Sequence, residues 1–265
     1  MALFPLVIAG TYALPASTRE VLVFEYEDPT LETAFASAFV HLDAAHFSQN
    51  LLLYALVILS VYALCLTARN RQQFRVFVVT VLIVFPFVLS YINLGIARSS
   101  VSFGASGLVM AFAGYLPLAL AAYLEGNLGI GPVRTFAPLI FIPTLGLVSV
   151  LSLQSVIRTN TTALLIVVGL VATALLATSW YALSAYERSQ TAEWDVREAV
   201  ATPGGPELVG AASLVLLAIL FVAFPADPTV DAGTVNLYEH FLGYSLGFIA
   251  SFSAAEVTAL IDKTE

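Results

Sequence analysis

Ser106 stands between small residues, in Gly104-Ala105-Ser106-Gly107, at the mouth of an apolar run. A hydroxyl so placed is a candidate nucleophile, provided that a base and oxyanion donors come from elsewhere in the chain. Only three histidines are present, His41, His46 and His240. His46 and Asn50 are four residues apart and so share one helix face. His240 opens the last apolar run and is followed by Gly243 and Gly247. Glycines four apart let two helix backbones approach closely in lipid, and Gly107, Ala111 and Gly114 form a matching stripe after the serine. Each pattern also has a plainer reading, as a polar helix end among headgroups or as helix packing alone. His41 and His46 flank Asp43, but their spacing does not stack two ligands on one helix face, and no His-Glu-x-x-His pattern is present. No metal and no cofactor are expected.

The elements that must position these residues are membrane helices. The chain has 265 residues, of which 59% are hydrophobic and 11% charged, against about 25% charged in a soluble domain. Its mean hydropathy is +0.91. Seven apolar runs recur, Phe47–Ala68, Val76–Ile96, Ser106–Leu124, Phe136–Leu153, Ala163–Ala185, Leu208–Phe224 and Phe241–Ile261. Each is near the ~20 residues a helix needs to cross the hydrocarbon layer. Because a helix satisfies its own backbone in lipid, the expected fold is an all-α polytopic bundle forming one integral membrane domain over 1–265. Residues 1–16 are read as a first membrane helix cut short at its N-terminal end, which makes eight spans. No basic segment precedes that stretch, so a cleavable signal peptide is not expected.

Charge orients the bundle. Arg69, Arg71 and Arg75 fill one short loop, which the positive-inside rule assigns to the cytoplasm. Alternation then leaves only Arg19, Arg98 and Arg158 outside, among ten basic residues. On this reading Ser106, His41, His46 and His240 all face the outside, as they would in a plasma-membrane protein with an extracellular active site. The net charge of −8 resides in acidic loops, notably Glu25–Glu32 and Glu187–Glu198. No basic patch points to nucleic acid, and the single Cys65 allows no intramolecular disulfide.

Taken together, the motifs resemble those of the rhomboid family of intramembrane serine proteases. Gly104-Ala105-Ser106-Gly107 is similar to the family's Gly-x-Ser-Gly, and His46-x-x-x-Asn50 precedes it in the family's order. His240-x-x-Gly243-x-x-x-Gly247 follows, and His41 stands where many members carry an additional histidine. The resemblance implies a rhomboid-like core, a Ser106–His240 dyad and an oxyanion site at Asn50, His46 and the Ser106 N–H. It implies substrates that are transmembrane proteins in the lipid bilayer, entering past Leu208–Phe224 with Pro225–Glu239 as a lid.

The chain departs from the family pattern in three places. One span separates the Ser and His helices in the family core, whereas three are expected here. Leu208–Phe224 is therefore read as the core helix beside the His helix, and 136–185 as an inserted transmembrane hairpin. Met110 stands where bacterial members often have Tyr, and the family's Trp-Arg pair is missing from the loop at 17–45. A pseudoprotease that binds helices without cutting them is one alternative. A small-solute transporter is another, but its polar groups belong at mid-membrane.

Overall fold

A computed structural model describes residues 1–68, 70–96, 101–158, 160–189, 194–230 and 233–261. Arg69, Arg98, Glu193 and Lys263, which enter the charge reading, lie outside the described residues, as do residues 97–100 of the loop before Ser106 and residues 231 and 232 of the expected lid.

The chain is a bundle of α-helices. Six of those described are long and apolar enough to cross a membrane: α4 (Ala44–Thr67), α7 (Ser106–Leu128), α8 (Val133–Leu153), α9 (Thr161–Ser189), α11 (Gly205–Ala223) and α12 (Leu237–Ile261). The expected span at 76–96 is instead a broken pair, α5 (Arg71–Ile83) and α6 (Phe85–Asn93), bent by 46°. Pro86 lies in the first turn of α6 and has no N–H to continue the ladder across the break. Counting the pair as one span gives up to seven.

The stretch expected to be the first span, residues 1–16, carries a short apolar helix. α1 (Leu3–Tyr12) has ten residues, or about 15 Å of helix, roughly half the hydrocarbon thickness. It lies against the N-terminal half of α4. Phe4 packs on Tyr54, Tyr12 stacks on Phe47, and the Tyr54 hydroxyl donates to the Met1 carbonyl.

α7 is the centre of the bundle. Of its most apolar 18-residue window 89% is buried, as expected of a helix apolar on every side. α4, α8, α11 and α12 pack around it, and α9 lies outside α8 with only 11% of its window buried. The expected hairpin at 136–185 thus divides into two unlike helices. α8 belongs to the core, where Phe141 stacks on Phe248 and the Thr144 and Tyr244 hydroxyls bond at 2.5 Å. α11 runs along α4 and α7, while α8 accompanies α12. Leu208–Phe224 is therefore not the helix lying along the His helix; the two meet only where α11 ends and α12 begins.

The segment 17–45 folds back as the short helices α2 (Ala16–Glu20) and α3 (Leu31–Ala36), a 3₁₀ turn at Ser37–Phe39 and the strand β1 (Phe24–Glu25). β1 pairs antiparallel with β2 (Val101–Ser102), just before the serine motif. A six-residue helix, α10 (Val196–Ala201), and a hairpin of β3 (Thr229–Val230) with β4 (Gly233–Thr234) complete the described elements.

α7 and α12 touch backbone to backbone. A Cβ added at Gly243 would lie 2.2 Å from the Gly107 carbonyl oxygen, and one at Gly247 would lie 2.2 Å from that of Ala111. One at Gly114 would lie 2.1 Å from the Tyr244 carbonyl oxygen. Gly169 on α9, by contrast, faces open space. Gly247→Leu should therefore cost about 1–3 kcal/mol through overpacking, whereas Gly169→Leu should be close to neutral. Melting temperatures of the two detergent-purified variants check this; equal melting would remove the contact from the stability of the bundle.

Candidate active site

Three local structures bring the chemically capable side chains to one end of the bundle. Asp43 caps α4, its carboxylate accepting from the His46 N–H at 2.7 Å. This places His46 in the first turn of α4 and Asn50 one turn further in. The carboxylate that could have suggested a metal ligand is thus a helix cap. Gly104 has φ +108°, a region that side-chain-bearing residues rarely adopt, and the turn it makes delivers Ser106 as the first residue of α7. The His46 ring lies on that turn, where a Cβ at Gly104 would be 2.4 Å from Cε1. The Gly104 N–H donates to the Ser37 carbonyl at 2.9 Å, so the segment 17–45 also holds the turn.

Ser106 is half-buried, and its hydroxyl makes no hydrogen bond among the described residues. His240 is buried one turn beyond the Gly243–Gly107 backbone contact, so both side chains stand at the same end of the α7–α12 pair. Its ring is held by a partner that sequence reasoning missed. His240 Nδ1 lies 2.7 Å from the carbonyl oxygen of Ala223. Ala223 is the last residue of α11, and the final carbonyls of a helix have no donor within it. Since a carbonyl only accepts, the proton is on Nδ1 and the lone pair on Nε2, the tautomer a base requires. Phe224 packs edge-on against the ring at 6.0 Å between centroids. Met110 is buried in α7 and contacts the His helix at Gly243.

Asn50 is 2% exposed, and its amide is engaged on both N–H bonds. Nδ2 donates to the His46 carbonyl at 3.1 Å and to His41 Nε2 at 3.1 Å. The Ala105 N–H points at the same Nε2 from 3.5 Å. His41 thus gathers Asn50 and the serine turn, and in this arrangement Asn50 faces His41. The Arg19 guanidinium donates to the His41 carbonyl and lies over the Tyr12 ring.

Glu239, next to His240, turns away from the ring. Its carboxylate accepts from the Ser102 hydroxyl at 2.7 Å, from Asn236 Nδ2 at 3.0 Å and from Asn93 Nδ2 at 3.3 Å. It also covers Gly107, whose added Cβ would lie 2.9 Å from Glu239 Oε1. This cluster ties α6, β2 and α12 together around the serine motif. A Glu beside a His in one sequence does not reveal it.

Compared with known protein families, curated proteins and solved structures, the chain matches none.

Burial, reinforced by the neighbouring His46, pushes the His41 imidazole down to about 4, with the Phe39 carbonyl offsetting part of the effect. An unfolded chain protonates this ring near pH 6.5, whereas the folded chain resists until about pH 4. Stability that is complete above pH 6.5 is therefore lost as the pH falls toward 4, by up to about 3 kcal/mol. The His41→Gln variant should show a shallower loss of unfolding free energy across that window. Denaturation series at several pH values measure it, and slopes equal to wild type would contradict the assignment.

Proposed function

We propose that the protein is an intramembrane serine endopeptidase of rhomboid type, cutting transmembrane segments of other membrane proteins near their outer ends. The observation that carries this reading is the Nδ1-to-Ala223 hydrogen bond of His240. It leaves Nε2 unprotonated at the end of the bundle where Ser106 opens α7. Nε2 takes the Ser106 proton as Oγ attacks the scissile carbonyl, and returns it to the leaving amine. A second cycle, with water as nucleophile, frees the enzyme. The C-terminal end of α11 carries partial negative charge, so the Ala223 carbonyl favours the imidazolium as it forms. This carbonyl takes the place of an acidic third member.

The oxyanion that forms on attack has the Ser106 N–H at the start of α7, where backbone donors are free and the helix dipole favours negative charge. His46, resting on Gly104, and Asn50 complete the donor set on this reading. Asn50 serves once its amide turns from His41 toward Ser106. The active site faces the outside of a plasma membrane, as the basic loops argue. A substrate helix enters past α11, whose Leu214, Phe221 and Val222 are exposed along its outer face.

Ser106→Ala and His240→Ala should each abolish cleavage of a model transmembrane substrate while leaving membrane insertion intact. A fluorophosphonate probe should label the wild type at Ser106 and neither variant. Labelling that persists in Ser106→Ala would sink the nucleophile assignment. A wild type that binds transmembrane helices without labelling would favour the pseudoprotease. Asn50→Ala should lower turnover by about 10²-fold; unchanged turnover with weaker substrate binding would make Asn50 a substrate-positioning residue.

A further inference from the structure

Three helix ends meet at His240. α8 closes at Gln154, directly after the last apolar residue of its run, Leu153. Glutamine mostly stands at a protein surface. Gln154 is instead half-buried and turns into the bundle, where its Nε2 donates to the Phe224 carbonyl at 3.2 Å. Phe224 is where α11 leaves its helix, with φ −121° and ψ 67°, so its carbonyl is among the acceptors that a helix end leaves open. The two groups that orient His240 flank that carbonyl. The Ala223 carbonyl, one residue earlier, accepts from Nδ1 at 2.7 Å. The Phe224 ring packs edge-on against the imidazole. Helices fray at their ends, and the last turn of α11 carries both of these groups. α11 packs mainly along α4 and α7, so Gln154 pins from the α8 side a turn that the rest of α11 holds from the other.

We propose that Gln154 is a positioning residue for the base. By holding the Phe224 carbonyl it fixes the last turn of α11, and through the Ala223 carbonyl it keeps the His240 proton on Nδ1. The inference rests on the Ser106–His240 reading given above. A neutral imidazole has two tautomers, and the partner of one nitrogen decides which of them is present. With the turn loose, the ring also samples the tautomer that carries its proton on Nε2, and that form cannot take a proton from Ser106. α8 thus acquires a part in the site, although the serine and histidine motifs assign it none.

The test uses the full chain in detergent with nitrogen-15-labelled histidine, and compares wild type with Gln154→Met, which keeps the length and removes the N–H donors. The chain has three histidines, so His240→Gln identifies the His240 signals by difference. Wild type should show the Nδ1–H tautomer at His240, and Gln154→Met a mixture of both. Fluorophosphonate labelling at Ser106 and kcat for a transmembrane substrate should fall together by about five-fold, in line with one lost hydrogen bond, with KM unchanged. Ser152→Ala, which removes a hydroxyl bonded within α8 itself, should change none of these. An unchanged tautomer in Gln154→Met overturns the proposal, whatever the rates do. A fall in cleavage without a fall in labelling moves Gln154 to substrate entry and overturns it too. The spectra are read without substrate. A wild type that neither labels nor cleaves therefore removes the protease reading, while the tautomer comparison still decides whether Gln154 sets the ring. Where Gln154→Met is not monodisperse, Gln154→Leu is judged by the same criteria.

Discussion

Gly107, Gly114, Gly243 and Gly247 mark where the backbones of α7 and α12 meet, and the end of the bundle that carries Ser106 and His240 is organised around that contact. Lipid supplies no hydrophobic force to press two helices together, so association rests on dispersion and close fit. Backbone contact provides both, and it fixes rotation as well as distance. A helix seated glycine to carbonyl can neither roll nor slide without a clash. His240 and Ser106 are therefore held at the same end of the pair, and Glu239 is carried over Gly107 to meet Ser102, Asn93 and Asn236.

Around this pair the polar groups engage one another, although His41 Nδ1 is buried with no hydrogen-bond partner among the described residues. His41, Asn50, the His46 carbonyl and the Ala105 N–H form one connected set, and the carboxylate cluster at Glu239 forms another. Both reach the serine turn from the side of the segment 17–45, through Ser37 to Gly104 and through β1 to β2. That segment is thus a structural wall of the site rather than a simple connector. Ser90 of α6 fastens it through the Ala34 carbonyl, and Arg19 braces it internally by donating to the His41 carbonyl.

Much of this was legible in the residues, because lipid narrows the choices. Length and apolarity reveal α4, α7, α8, α9, α11 and α12, and the glycine stripes of α7 and α12 already imply a close crossing. Other features carry their information in forms a sequence hides. Pro86 is a visible signal for the break between α5 and α6, but an apolar run hides it when only hydropathy is followed. The composition of residues 1–16 marks an apolar helix, and its ten-residue length is seen only in the structure. The carbonyl of Ala223 belongs to the backbone, which no residue type announces. That α8 rather than α11 accompanies α12 is a matter of packing around α7, and hydropathy along the chain is blind to it.

The hydrogen bond between His240 and Ala223 makes one helix end serve two purposes. α11 borders the membrane, and its last carbonyl steers the imidazole. An outward swing of α11 that admitted a guest helix would carry that carbonyl away and release the ring. On the proposed reading such a machine would be interlocked. The helix that admits a guest would also hold the ring, so the base would be armed only once α11 had closed again.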